Sequence, residues 1–217
     1  MSKEFEAKFL EINYKDLVKK IKEHDGKIVH PLMIYKRYIF LLQDKTKKGY
    51  ARVRQENGKV SMTIKTYDAS KYATETEVEL NSSLEESKDF MINAGFELKA
   101  YQETLREKWK IKGCNEIAID TIPGIPTYVE LECKNEKNIK SLAKKLDLDY
   151  SKAEFGAYDK QFVDYYGLTK IELNDKVSSL TFKNIVNELK PFIRKNKDLL
   201  KKVSIEQLKI YKKLVKK

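Results

Sequence analysis

The sequence predicts an α+β protein dominated by an eight-stranded antiparallel β-barrel, with peripheral helices and a helical extension at the C-terminus. Three observations support this prediction. In the first 133 residues the apolar residues recur mostly with a period of two, which is typical of strands. Turn pairs that contain glycine separate several of these alternating segments. Beyond residue 168 the apolar period becomes helical.

Eight segments have the strand period, and closing them into a barrel would leave no exposed edge. The turn pair Asn57-Gly58 between two of them is the strongest hairpin signal in the chain. The predicted strands are Lys3–Glu11, Met33–Leu42, Tyr50–Gln55, Val60–Tyr67, Thr74–Leu80, Phe96–Lys112 with an interruption near Ala100, Glu116–Thr121 and Thr127–Cys133.

Three helices are predicted between these strands. Ser83 and Glu86 form a capping pattern at the start of the second, and Gly26 and Gly95 follow the first and second as stop signals. The predicted helices are Tyr14–His24, Ser83–Asn93 and Asn135–Leu146.

The last 49 residues have two apolar stripes at helical spacing, and Pro191 should end the first helix. We therefore predict two units, a main domain over residues 1–168 and a basic helical extension over residues 169–217. The stripes are Leu180, Ile185, Val186 and Leu189, and then Ile205, Leu208, Tyr211 and Val215.

The composition suits a globular protein and excludes a fibrous one, since 41% of the residues are hydrophobic and 35% are charged. No segment of about 18 apolar residues exists to cross a membrane, and the N-terminus lacks the apolar segment of a secretory signal. We therefore expect a cytoplasmic protein. The two cysteines, Cys114 and Cys133, are expected to be reduced thiols.

The net charge of +11 suggests an anionic partner, but the surplus of basic residues is local. The extension has 14 basic and 5 acidic residues, whereas residues 1–168 have 30 and 28. A solvated helical pair packed on the barrel is the simplest interpretation of the extension. Contact with RNA or polyphosphate, or with a membrane surface or protein, is the alternative. Both a monomer and a homodimer are compatible with the sequence.

Charged residues alternate along several predicted strands. Glu4, Glu6 and Lys8 share one face of the first strand, because residues two apart point to the same side. A solvated face would explain one such segment, but the number of segments favours a charged barrel interior. The others contain Arg52 and Arg54, Lys65, Glu75, Glu77 and Glu79, and Glu130 and Glu132. Tyr35, Lys36, Arg37 and Tyr38 also alternate, and Lys36 or Tyr38 is expected to reach the interior.

These residues resemble the signature of the CYTH or triphosphate tunnel metalloenzyme superfamily over roughly residues 1–166. The resemblance rests on the order and spacing of Glu4-x-Glu6-x-Lys8, Arg52-Val-Arg54, Lys65, Glu77-Val-Glu79, Arg106, Asp120 and Glu130-Leu-Glu132. It implies an eight-stranded antiparallel tunnel that acts on triphosphates. One departure is Thr104, where the family often has a lysine two residues before an arginine, and Lys99 or Lys108 could compensate.

The resemblance also implies roles for individual residues. Basic residues would bind phosphate oxygens, acidic residues would hold Mg²⁺ or Mn²⁺, and two glutamates would orient the basic residues. The phosphate-binding set is Lys8, Arg52, Arg54, Lys65 and Arg106. The metal-binding set is Glu4, Glu6, Asp120, Glu130 and Glu132, and the orienting pair is Glu77 and Glu79. The catalytic set is Glu4, Glu6, Lys8, Arg106 and Lys160, although Lys160 is equally interpreted as a surface lysine.

Three functions are compatible with this site. The first is metal-dependent hydrolysis of inorganic tripolyphosphate, thiamine triphosphate or a nucleoside triphosphate. The second is a class IV adenylyl cyclase, which makes cyclic AMP and pyrophosphate from ATP. The third is an RNA 5′-triphosphatase or a non-catalytic binder of polyphosphate or RNA that uses the basic extension. Hydrolysis is preferred because the sequence contains no purine-binding motif.

Overall fold

The computed structural model describes residues 2–3, 5–68 and 72–216. The predicted site residue Glu4 lies outside these described residues. Within them, the strands are β1 (Ser2–Lys3), β2 (Phe5–Phe9), β3 (Lys27–Phe40), β4 (Lys48–Glu56), β5 (Lys59–Tyr67), β6 (Thr74–Leu80), β7 (Leu98–Lys110), β8 (Cys114–Thr121), β9 (Tyr128–Cys133) and β10 (Ser179–Leu180). The helices are α1 (Tyr14–Glu23), α2 (Leu84–Asn93), α3 (Glu136–Lys145), α4 (Asp159–Tyr166), α5 (Lys170–Asp175), α6 (Ile185–Leu189) and α7 (Lys197–Val215).

The strands form one curled sheet whose order is β1-β6-β5-β4-β3-β7-β8-β9-β2. All of these neighbours are antiparallel, and the short β10 pairs in parallel with β7. Since β1 and β2 belong to one N-terminal segment, that segment pairs with β6 at its start and with β9 further on. Counted together, β1 to β9 make eight strands. The predicted fold class, an α+β protein built on an eight-stranded antiparallel barrel, is confirmed.

Most predicted elements agree with the structure, but two details are wrong. The interruption predicted near Ala100 corresponds to a register shift between Ala100 and Leu98 in the pairing with β3, within a strand β7 that runs from Leu98 to Lys110. Strand β3 begins at Lys27 rather than Met33, because two register shifts near His30 break the period of two that marks a strand. Leu180 lies in β10 and not in a helix, whereas α6 ends at Leu189, ahead of Pro191 as expected.

The helices begin where the side chains provide a cap. Asn13 accepts hydrogen bonds from two backbone N–H groups at the start of α1, and Ser83 forms the predicted capping box with Glu86 at the start of α2. Helices α1 and α3 pack over β2, β8 and β9, where Ile21, Ile139 and Leu131 are buried together. No helix in the described ranges is long and apolar enough to cross a membrane.

The C-terminal extension packs directly on the barrel. The Gln207 side chain of α7 donates to the backbone oxygens of Ile122 and Ile125 and accepts from the backbone N–H of Gly124. The Tyr211 hydroxyl donates to the buried Glu103 carboxylate of β7. Two successive turns in the C-terminal half of α7 are therefore tied to the barrel through buried polar groups, which need such partners.

The two cysteines are joined by a disulfide, so the expectation of reduced thiols is wrong. Cys114 of β8 and Cys133 of β9 are cross-strand partners in the register, and their Cα atoms are 3.9 Å apart. Their separation of 19 residues in the sequence gives no indication of this proximity, because it depends on how β8 and β9 align.

Candidate active site

A cavity of about 330 Å³ lies inside the barrel, and it contains many of the predicted site residues. The register explains why they meet there. Lys8 is opposite Glu130 across β2 and β9, and Arg106 is opposite Asp120 across β7 and β8. Directly opposed residues of antiparallel strands point to the same face of the sheet. The predicted residues that line the cavity are Glu6, Lys8, Arg52, Lys65, Arg106, Asp120 and Glu130.

Lys8 and Glu130 form a buried ion pair with 3.1 Å between Nζ and Oε1. Lys8 is only 5% exposed, and its ammonium also donates to the backbone oxygen of Gly156. Burial by itself would lower the pKa of Lys8, but the charges of Glu130 and Glu6 raise it. Burial likewise opposes ionisation of Glu130, yet the charges of Lys8 and Arg106 lower its pKa to about 2. Both groups are therefore charged at neutral pH.

Arg106 is fixed by a bidentate ion pair with Asp120. Its Nε and Nη2 atoms donate to the two Asp120 oxygens at 2.7 and 2.5 Å. Nη1 donates to Glu116 at 3.0 Å, and Nη2 also lies 3.5 Å from Glu130. Burial disfavours the charge, but these carboxylates raise the pKa of Arg106 well above its ordinary value. Asp120 thus lines the cavity with both of its oxygens engaged by Arg106, so the structure places it as a partner of that arginine.

Arg52 and Lys65 are held by glutamates on β6 and β2. Arg52 Nη2 lies 3.2 Å from Glu75 and 3.4 Å from Glu77, and Lys65 Nζ lies 3.3 Å from Glu6 and 3.6 Å from Glu75. Glu75 is not among the predicted site residues, although it belongs to the alternating triplet. The structure places Glu75 and Glu77 beside the cations, and it places Glu79 on the exposed surface with Lys59.

A second layer of charged side chains lies next to the first and does not line the cavity. Arg54 pairs with Glu56 at 3.2 Å and with Glu77 at 3.5 Å. Lys108 pairs with Glu116 at 2.6 Å and with Glu56 at 3.3 Å. Although burial raises the pKa of Glu56, the Arg54 charge and a hydrogen bond from Tyr35 lower it to about 2. The Tyr35 ring lies between the two layers, 5.7 Å from the Arg54 guanidinium and 5.6 Å from that of Arg106.

Two cations in the cavity wall have no place in the predicted phosphate-binding set. Arg37 of β3 donates from Nε to Gln102 at 3.0 Å, and its guanidinium lies 5.6 Å from the Tyr158 ring. Lys99 of β7 donates to Asn174 at 3.0 Å, and burial lowers its pKa.

The expectation that Lys36 or Tyr38 reaches the interior is wrong.

The reason for that error is the phase of β3. The Tyr38 hydroxyl donates to Glu85 of α2, outside the barrel, so Lys36 and Tyr38 share the outer face. Arg37 and Tyr35 therefore point inward. The alternation of the sequence defined two faces, but both faces carry polar groups, so hydrophobicity alone did not indicate which one is inside.

The remaining predicted residues lie elsewhere. Lys160 is on the surface at the start of α4, where it pairs with Glu154 and Asp164, each at 2.7 Å. Glu132 is opposite Glu6 in the register and accepts a hydrogen bond from Asn115, but it is not among the cavity-lining residues. Glu4 lies outside the described residues.

The acidic residues suit a hard cation. Within residues 5–68 and 72–216, no three Asp, Glu, His or Cys side chains form a ready-made metal-binding group. Glu6 and Glu130 nevertheless lie on one face of adjacent strands, and the low pKa of Glu130 keeps it ionised. Mg²⁺ usually takes one or two protein carboxylates and completes its shell with water and substrate phosphates. The donor set therefore fits Mg²⁺ or Mn²⁺ in a substrate complex.

The fold and the cavity together define a β-barrel protein with an interior of paired cations and carboxylates. The chain belongs to the CYTH domain family, whose model matches residues 2–157. This family includes triphosphatases and adenylyl cyclases, and its members depend on a divalent metal, generally Mg²⁺ or Mn²⁺.

Solved structures with the same fold come from archaea and bacteria. The PH1012 protein from Pyrococcus horikoshii OT3 superimposes with a TM-score of 0.60 at 21% identity, covering 71% of this chain and 96% of that one. A conserved hypothetical protein from Pyrococcus furiosus superimposes with a TM-score of 0.60 at 21% identity, and the match covers 71% of this chain and 97% of that one. A candidate adenylate cyclase from Vibrio parahaemolyticus superimposes with a TM-score of 0.60 at 16% identity, and the match covers 75% of this chain and 98% of that one. The sequence matches none of the curated proteins with which it was compared.

Proposed function

We propose that this protein hydrolyses a triphosphate in its barrel cavity with the help of Mg²⁺ or Mn²⁺. The observation that carries the proposal is a set of unsatisfied cationic donors. Arg37 Nη2 and Arg52 Nε belong to cavity-lining arginines, and both atoms are buried without a hydrogen-bond partner in the described part of the chain. Buried donors of this kind need an acceptor, and phosphate oxygens fit the guanidinium group in geometry and charge.

The charge of the cavity wall agrees with this ligand. The described lining residues include six cations and four carboxylates, which leave two positive charges. A divalent metal ion adds two more, and a triphosphate carries about four negative charges near neutral pH. Substrate and metal together would therefore neutralise the cavity. The six cations are Lys8, Arg37, Arg52, Lys65, Lys99 and Arg106.

In the proposed mechanism, residues of the chain bind and orient the phosphate groups. Lys8, Arg52 and Lys65 would hold phosphate oxygens, and Arg106 would donate to the phosphoryl group on which charge develops. Asp120 and Glu75 hold two of these cations in fixed positions before substrate arrives, so little reorganisation is needed during the reaction.

The metal would be held on the β2–β9 side of the cavity. Glu6 and Glu130 would bind it, with Glu132 next in the register and Glu4 as a further predicted ligand. When bound, the ion would neutralise phosphate charge and polarise the phosphoryl group.

The proposal is tested with the full chain, Mg²⁺ or Mn²⁺, and a panel of tripolyphosphate, thiamine triphosphate, ATP and 5′-triphosphorylated RNA. We expect orthophosphate release from at least one of them. Glu130→Gln should lower kcat/KM at least about 100-fold. Loss of a residue that only supports a metal ligand typically lowers metal affinity or activity ~10–100-fold, and loss of the ligand itself should have a larger effect. Glu97→Gln is the matched control, since Glu97 is 71% exposed and pairs only at the surface with Lys45. Equal activity of Glu130→Gln and the control would exclude the proposed site.

Adenylyl cyclase activity is the second candidate, supported by the structural neighbour from Vibrio parahaemolyticus that is named for this activity. The same cations would hold the triphosphate, and the ribose 3′-hydroxyl would attack the α-phosphate. Product analysis with ATP and Mn²⁺ separates the two reactions. Cyclic AMP with pyrophosphate indicates a cyclase, and orthophosphate indicates a hydrolase.

A further inference from the structure

The C-terminal extension has a groove of its own, separate from the barrel cavity. It has a volume of about 300 Å³ and lies between α7 and the segment that contains α6, and we call it the α6–α7 groove. Phe182 and Ile185 are buried beneath it, whereas Val186, Ile205 and Leu208 keep part of their surface exposed to solvent. The described residues that line this groove are all different from those that line the cavity. They all follow residue 157, where the match to the CYTH domain ends.

Helix α7 contributes one continuous face to the groove. Its four lining residues, Lys201, Ser204, Ile205 and Leu208, have the spacing of three, four and seven residues that places side chains on one side of a helix. Ile205 is 57% exposed although it stands near the middle of this face. A single exposed isoleucine is ordinary, but apolar side chains on the facing segment extend it into a continuous apolar surface. Such a surface with polar groups around it is typical of a binding site.

A buried hydroxyl group belongs to the same lining. Ser204 is only 6% exposed, and its Oγ atom has no hydrogen-bond partner among the described residues. A serine inside a helix usually bonds the backbone carbonyl one turn earlier or faces water. A buried polar group without a partner is rare in a native structure. A backbone amide or carbonyl group of a bound peptide can satisfy this hydroxyl, whereas a hydrocarbon chain cannot.

Lysines surround the apolar centre of the groove. Lys183 and Lys201 line it, and both are exposed. Lys197 precedes Lys201 by four residues and Lys212 follows Leu208 by four, so both continue the same stripe of α7. The whole helix has six lysines, all exposed, and only two acidic residues. A positive rim around an apolar centre is complementary to a chain segment that has negative charges around an apolar side chain.

We propose that the α6–α7 groove binds an acidic peptide segment of another protein. An apolar side chain of the segment, such as leucine or phenylalanine, packs against Val186, Ile205 and Leu208 and acts as the anchor. Carboxylates on either side of that anchor pair with Lys183 and Lys201. The lysines thereby determine which segments bind, and the apolar contact supplies most of the affinity.

Other occupants fit these observations less well. RNA offers phosphates to the lysines but no aliphatic side chain to the groove. A helix that lies on a membrane needs a broad apolar face, whereas Lys201, Lys209 and Lys212 surround Ile205 on α7. A second copy of this chain would bring two basic extensions together, and their charges repel.

A selection of random peptides displayed on phage, with the full chain as bait, tests the proposal without knowledge of the natural partner. We expect the enriched peptides to have aspartate or glutamate next to leucine, isoleucine or phenylalanine. The most enriched peptide is then synthesised with a fluorescent label, and its affinity is measured by anisotropy. That affinity should fall as the salt concentration rises, because salt screens the exposed charges.

Two pairs of variants locate the binding surface. Ile205→Asp should weaken binding of this peptide at least about tenfold, because it removes the apolar contact and adds a negative charge. Ile210→Asp is the matched control, since Ile210 is 42% exposed on the same helix but does not line the groove. Lys201→Glu should weaken binding about fivefold, and Lys202→Glu controls for the change in net charge. An unchanged Tm shows that a variant is folded, and Lys201→Glu decides the question where Ile205→Asp is not.

Three results would overturn the proposal. They are a selection that enriches no peptide over the support without protein, enriched peptides that lack acidic residues, and equal weakening by Ile205→Asp and Ile210→Asp. Anionic phospholipid vesicles and single-stranded RNA are tested in parallel. Binding of either one that Ile205→Asp abolishes, without peptide enrichment, would assign the groove to that partner instead. Triphosphate hydrolysis is a separate question, because these variants alter no residue that lines the barrel cavity.

Discussion

Replacing Arg37 with methionine tests the cavity most directly, because this residue was not among the sequence-based site predictions. Arg37→Met keeps the aliphatic length but removes the guanidinium, whose Nη2 is buried without a partner among the described residues. A hydrogen bond to a charged group contributes about 1.5–3 kcal/mol. Losing one from the substrate complex should therefore lower kcat/KM roughly 10- to 100-fold. Steady-state phosphate release from the preferred triphosphate measures this change.

The same variant should have little effect on stability. It loses one hydrogen bond of 3.0 Å to Gln102, but it also removes a cation from a cavity that contains five others. The free energy of unfolding should change by less than about 1 kcal/mol in urea titrations. Lys36→Met is the matched control, because it removes the neighbouring charge from the outer face of β3. A kcat/KM for Arg37→Met within twofold of this control would refute the assignment of Arg37 to phosphate binding.

Three further predictions concern stability. Interactions in the fold lower the pKa values of Glu56 and Glu130 from 4.5 to about 2. The two ionised carboxylates therefore stabilise the fold above pH 4.5, and this stabilisation is lost as the pH falls toward 2. Urea titrations across this range should show falling stability, with a smaller decrease in Glu56→Gln; a stability independent of pH would contradict the ion pairs. Replacing both Cys114 and Cys133 with serine should lower the free energy of unfolding by about 3 kcal/mol, whereas an unchanged value would show that the bond does not form. Deleting residues 169–217 removes Gln207 from the backbone of Ile122 and Gly124, so Tm should fall; an unchanged Tm would instead support an independent domain over residues 1–168.

The sequence was most informative where strands are regular. The alternation around Lys8 and Glu130 predicted which residues share a face, and the structure brings them to one cavity. It was less informative where the inner face of a strand depends on bulges, as for Arg37 on β3. The choice between Glu75 and Glu79 depends on how far β6 extends past its neighbours, which periodicity does not reveal.

Features that depend on tertiary docking were beyond the sequence pattern. The Cys114–Cys133 disulfide requires the register of β8 and β9. The position of Leu173 and Leu180 in the cavity wall requires β10 to pair with β7, although in the sequence both look like ordinary core residues. Long-range pairing of this kind leaves no local signal in the chain.

The N-terminal segment, which pairs with both β6 and β9, makes the candidate active site a late product of folding. Glu6 and Lys8 are synthesised first, but their partners on β9 lie more than 120 residues later in the chain. During translation the pairing of this strand with β9 cannot be completed until residue 133 has left the ribosome. Contacts so distant in sequence form slowly. During refolding, enzymatic activity should therefore appear only after the core residues of β9 have become buried. The appearance of activity then reports that the barrel is complete.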